Sequence, residues 1–197
     1  MLGEEGLGAF VTDKELPSSL EHWKSHLYDP GRNNVGLALR WEAGLATMKA
    51  LVGISDEDKE KVTQEWAASV KDMVDSHDFL ETFGVERSIV SIRMRKAAGG
   101  YLNMNEARDL FRWMSCDVAS VVPNASSEEK TALSTIAYTG QPVKITSDQA
   151  IIRIALGAES LLSYFEDKER TLREDRLTVE KIGALSKHFD ELKASQF

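Results

Sequence analysis

Cysteine is nearly absent. Cys116 stands alone among 197 residues, which excludes a disulfide framework and a cysteine-rich metal site. Proline is sparse: Pro17, Pro30, Pro123 and Pro142 are the only four. The stretch 31–122 holds none, so long helices meet no breaker there. No run of 18 apolar residues occurs, so no membrane span is expected. Cations are the minority charge: 24 Lys and Arg against 32 Asp and Glu leave a net charge of −8. A surface that coats nucleic acid is thereby disfavoured unless the cations cluster. No Gly-x-Ser-x-Gly, no His-Glu-x-x-His and no glycine-rich loop followed by Lys-Ser/Thr is present. The usual marks of a serine hydrolase, a zinc protease or a nucleotide-binding loop are therefore missing, and a non-enzymatic role is the leaning. The opening Met1-Leu-Gly-Glu-Glu lacks the basic region and apolar stretch of a secretory leader. A reducing, cytoplasmic location is the expectation.

What is present reads mainly as helix. Hydrophobic residues make up 42% and charged residues 28%, ordinary values for a chain that buries a core. Residues 1–19 are glycine-rich and weakly periodic, an N-terminal arm. Ser55 followed by Asp56, Glu57 and Asp58 places negative charge at a helix start. Val62, Trp66, Val70, Met73 and Val74 would form that helix's apolar face. Ser126 with Glu129 makes a capping box before Ala132, Leu133 and Ile136, and Thr146 with Gln149 makes another before Ile151, Ile152 and Ala155. Ala107, Leu110, Phe111, Met114 and Val118 recur at helical spacing, as do Val179, Ile182, Leu185, Phe189 and Leu192. Ser88–Arg95 alternates and is β-branched; it fits a short strand or an amphipathic helix, and the helix is preferred.

Four stretches share a cadence: Gly36–Glu42, Gly100–Glu106, Val143–Gln149 and Asp175–Lys181. Each has a turn-type or small position, then an apolar residue two later, then a helix start. Asn103, Thr146 and Thr178 stand at the cap position in three of them. This cadence resembles the second half of an EF-hand loop, where glycine turns, an apolar residue pairs with a partner loop and position 12 supplies a carboxylate. With the chain length, it is similar to the sarcoplasmic calcium-binding proteins and their photoprotein and luciferin-binding relatives. The resemblance implies an all-α fold of four degenerate EF-hand-like units in two packed pairs, 20–122 and 123–197, in one compact domain, with at most very short β bridges between loops.

The ligands of such loops are largely missing. Arg95, Ala97 and Gly99 fill positions 1, 3 and 5 of the second loop, and Gln149 and Lys181 fill position 12 of the third and fourth. Calcium is therefore not expected, and no cofactor is. Only Asn33 and Glu42 of the first loop remain as weak metal ligands. The resemblance implies instead an internal cavity for an apolar small molecule, lined by Trp23, His26, Trp41, Trp66, Trp113 and His188, or a groove for a partner helix. Tryptophan as plain core filling is the competing reading. An alternative partner is nucleic acid. Arg87, Arg93, Arg95, Lys96, Arg108 and Arg112 face only Glu106 and Asp109 within 87–112, with Tyr101 and Phe111 interleaved, as a self-assembling or RNA-associated coat-like protein could use.

Overall fold

The computed structural model describes residues 35–195, with side chains described from residue 44. The chain divides into two units, 1–55 and 56–197. In the first, the described part is one helix, α1 (Val35–Val52), whose Leu45, Met48 and Val52 are exposed.

The second unit begins with α2 (Asp56–Asp75), whose first turn carries Asp56, Glu57 and Asp58, as the macrodipole favours. Its expected apolar face is realised: Trp66, Val70 and Val74 are buried, with Val62 and Met73 packed against the core. Two strands follow, β1 (Leu80–Glu86) and β2 (Ile89–Met94). They are joined by a two-residue turn in which Arg87 adopts φ 48°, a conformation more often given to glycine or asparagine. Next come α3 (Met104–Trp113), a 3₁₀ turn (Ala119–Val121) and α4 (Ser127–Ser134). A second hairpin, β3 (Gly140–Lys144) and β4 (Ala150–Ala155), leads into α5 (Ala158–Glu166), α6 (Lys168–Lys187) and α7 (Phe189–Ala194).

The all-α expectation is thus overturned. The strands form one four-stranded antiparallel sheet in the order β1-β2-β4-β3. The Ser88–Arg95 ambiguity resolves to strand, because Val90, Ile92 and Met94 reach the core while Ile89, Ser91 and Arg93 face the other way, a period of two. Ile151 and Ile152 also alternate: Ile152 pairs with Ile92 on the core side, and Ile151 pairs with Arg93 on the outer side. Thr146 and Gln149 therefore cap no helix. They close the β3–β4 loop, where the amides of Ile145 and Thr146 donate to the Gln149 carbonyl at 3.0 and 3.2 Å.

The four supposed hinges are equally revised. Gly36–Glu42 and Asp175–Lys181 lie inside the unbroken helices α1 and α6, and the third begins in β3. Only Gly100–Glu106 behaves as read. Gly99 and Gly100 take φ 96° and 79°. Asn103 then caps α3 by accepting from the amides of Asn105 and Glu106, and Glu106 reaches back to the Asn103 amide at 2.9 Å. The second true box, Ser126 with Glu129, starts α4.

What does repeat is helix-strand-strand-helix. The run α2-β1-β2-α3 is followed by α4-β3-β4-α5, and the two hairpins meet through β2 and β4. Both edge strands carry an irregularity. Phe83 is skipped between Thr82 and Gly84 in β1, and the register shifts between Gly140 and Val143 in β3. Such bulges blunt an edge against uncontrolled pairing. The helix α6 runs as a spine beside both halves. Residues 181–186 of α6 are all buried, which places this turn inside the unit rather than on its surface.

Candidate binding groove

A groove of about 1170 Å³ lies between α2 and β1. Its helix wall comes from successive turns of α2, with Lys59, Thr63, Ala67, Ala68 and Lys71 in the row and Glu60, Gln64 and Asp75 beside them. This spacing of three and four puts small side chains opposite the strand, with the two lysines at either end. The strand wall is Thr82, Gly84, Val85 and the turn residues Arg87 and Ser88. Val85 is 45% exposed although it pairs with the buried Val90.

Charge in the groove is arranged around its helix. Lys59 contacts Asp56 at 3.0 Å. Asp75 contacts Lys71 and also accepts the Thr82 amide at 3.1 Å. Burial acts to raise the Asp75 pKa, but the hydrogen bonds from Lys71 and Thr82 outweigh it and hold the carboxyl below its usual range. The same carboxylate holds the Lys71 ammonium above its usual range. Arg87 has no ion pair among the described residues.

A second cluster lies on the outer face of the sheet. Glu81 accepts from Arg93, from Arg95 at 2.6 Å and from the Tyr101 hydroxyl at 2.7 Å. These donors keep its carboxyl below the usual range, the Arg95 hydrogen bond most of all. The Arg93 guanidinium sits 5.1 Å from the Phe83 ring centre and 4.9 Å from that of Tyr101, a cation–π contact on both sides. Arg93 also reaches Gln149 of the second hairpin at 3.2 Å.

The expected site residues scatter. Trp23, His26 and Asn33 lie outside the described residues, as do the side chains of Trp41 and Glu42. Trp66 is fully buried and donates its indole N–H to Asp175 at 2.8 Å. Trp113 packs on Phe189 with ring centres 5.4 Å apart. His188 is buried where α6 meets α7, within 3.5 Å of Glu129 and 3.3 Å of Glu191. None of these three lines the groove. The cationic stripe is divided between two surfaces. Arg87, Arg93 and Arg95 belong to the first hairpin and its exit. Lys96 is paired with Glu106 at 3.3 Å, Arg112 with Asp109 at 3.4 Å, and Arg108 is exposed on α3.

The groove's lining holds the hydroxyls of Thr63, Thr82 and Ser88 and the carboxylates of Glu60 and Asp75, but neither histidine of the second unit. Among the described residues no group of three or more His, Cys, Asp and Glu side chains is placed to hold a metal ion, and no helix is long and apolar enough to cross a membrane. No family model, no curated protein and no solved structure matches the chain. The groove residues were missed in the sequence because Thr63, Ala67, Ala68 and Lys71 read there as the indifferent solvent side of an amphipathic helix. That their spacing aligns small residues in a row was the available signal. That a sheet edge lies opposite was not available.

Proposed function

We propose that this chain is a non-enzymatic binding protein whose groove between α2 and β1 receives a segment of a partner protein. The observation that carries the reading is the groove's composition. A floor of Ala67, Ala68 and Val85 lies beside a strand edge that is unpaired among the described residues, with Lys59, Lys71 and Arg87 alongside Glu60 and Asp75 in the lining. Concave apolar floors with a few polar groups at the margin suit ligand recognition, and an open sheet edge suits a polypeptide more than a compact apolar molecule. Nucleic acid is favoured less. Of the six cations in the 87–112 stripe, four already contact carboxylates, leaving Arg87 and Arg108 without an ion pair among the described residues.

The test is a displayed random-peptide selection against the whole chain, with counter-screening against Ala68→Trp. Ala68 is exposed on α2, so the indole fills the groove without entering the core. Enriched peptides that bind the parent protein and lose about tenfold or more on Ala68→Trp are the expected result. Peptides that bind both proteins equally, or no enrichment at all, would remove the groove from consideration.

A further inference from the structure

Resting on that reading of the groove, we propose that its ligand is an extended acidic peptide that adds as a fifth strand to the β1 edge, and that Asp75 holds the strand's place until it arrives. The Thr82 amide points away from β2, where a further strand would pair. Its hydrogen bond goes to a carboxylate oxygen of Asp75, at the end of α2, at 3.1 Å. A side-chain oxygen thus occupies the position that a neighbouring strand's carbonyl takes in a ladder. The plug is removable: the Asp75 side chain is 38% exposed and its ion-pair partner is Lys71, itself 49% exposed.

Displacing Asp75 would release Lys71 toward the newcomer. With Lys59 and Arg87, which has no ion pair among the described residues, three cations would then line the path of the added strand against the carboxylates of Glu60 and Asp75, an excess of one cation that an acidic chain matches. Space is available on the edge beyond the bulge. No described strand pairs on that side of β1, and Val85 is half exposed. A partner helix meets this edge less well, because its own backbone groups are already paired and cannot answer the Thr82 amide.

The experiment is fluorescence anisotropy on the full chain with a labelled peptide Glu-Val-Thr-Glu-Val-Thr-Glu, its lysine-for-glutamate counterpart, and a version N-methylated at alternate residues. Asp75→Asn keeps the shape but weakens the plug. It is expected to bind the acidic peptide about fivefold or more tightly than the parent. The lysine and N-methylated peptides are expected to lose about tenfold or more. Thr82→Pro, which deletes the amide on an edge where proline is tolerated, should abolish the gain from Asp75→Asn, with circular dichroism confirming that each variant is folded. Equal binding by the N-methylated peptide, no gain in Asp75→Asn, or no binding of the acidic peptide by either protein would overturn the proposal. A dimer in sedimentation that Ala68→Trp dissolves would also overturn it, by making a second copy the occupant. If Ala68→Trp blocks selected peptides while Asp75→Asn changes nothing, the groove stands and the placeholder falls; if Ala68→Trp blocks nothing, the groove itself falls.

Discussion

The two helix-strand-strand-helix halves share an order of elements but are fastened to the spine α6 by different physics. The first half is held mainly by shape, with one surface ion pair, Lys168 of α6 to Glu65 of α2 at 3.0 Å, beside it. Trp66 of α2 is buried to its indole N–H, which finds the Asp175 carboxylate. His77, just after α2, lies so close to α6 that a Cβ at Gly183 would fall inside its imidazole. The second half is held by charge. The fully buried Lys181 ammonium donates to the carbonyls of Cys116, Leu133 and Thr135, tying the start of the α3–α4 connection to the end of α4. All three of its protons are used, which marks it as a clasp rather than a nucleophile. Burial pulls that ammonium below the ordinary lysine range, with the charges of Cys116 and Asp117 opposing. Glu129, at the start of α4, adds a contact to Lys187 at 2.6 Å and lies 3.5 Å from His188. The contrast follows from helix length. The 20 residues of α2 supply a full apolar face, whereas the eight of α4 bury only Ala132 and Leu133 and need polar ties.

If this contrast is real, four substitutions should divide along it. The largest effect belongs to Lys181→Met, which keeps the volume but leaves three carbonyls without their donor. A loss on the order of 3–5 kcal/mol is expected in urea unfolding, and a loss under about 1 kcal/mol would mean that the clasp is dispensable. Gly183→Ala comes next, at about 3 kcal/mol from overpacking. Because the conflict is one of shape, His77→Ala in the same chain should recover most of it, and failure to recover would locate the cost elsewhere.

The third and fourth tests use pH, since the two ties respond in opposite directions. Burial works against ionisation of Glu129, but Lys187, the Ser126 amide and His188 prevail and lower it from 4.5 to about 2. A lowered carboxyl contributes stability that is complete above pH 4.5 and fades as pH falls toward 2. The 2.5-unit difference caps this at about 3 kcal/mol, and partial exposure trims it to about 2. Glu129→Gln should flatten that acid limb in melting temperatures taken from pH 2 to 7. Asp175 behaves the other way. Burial raises its pKa above 3.8 against the indole hydrogen bond, so its contribution is present below pH 3.8 and is lost as pH climbs through the raised value. Asp175→Asn should remove that decline and change stability at neutral pH by less than about 1 kcal/mol. Matching slopes for the two variants would erase the distinction between the halves.

Local signals were legible where the deciding chemistry is local. Asn103 and the Ser126–Glu129 box cap helices as read, because a cap needs only residues within one turn; the return bond from Glu106 to the Asn103 amide was not read. The apolar faces at Val62–Val74 and Val179–Leu192 were equally plain. Thr146 with Gln149 has the same spacing and caps nothing. Ile151 and Ile152 after it satisfy a helical period as well as an alternating one, and only the pairing of β4 with β2 chooses between them. The all-α fold implied by the EF-hand likeness failed for a related reason. A small residue, an apolar residue and a cap residue in succession describe many local paths, including the interior of α6. Of the candidate site, the lysines and alanines of α2 could be read as neighbours on one helix face, but not as the wall of a groove.

The sequence by itself determined the helix starts at Asn103 and Ser126, the buried stripes of α2 and α6, and a net negative surface. These depend on contacts within a few residues or on composition alone. Tertiary structure decided that 89–94 and 150–155 are central strands, that Lys181 is a buried clasp, and that small residues of α2 face an open strand edge. Each of those rests on groups far apart in the chain: the alternation at 88–95 admitted a strand, but only pairing across such separations decides it.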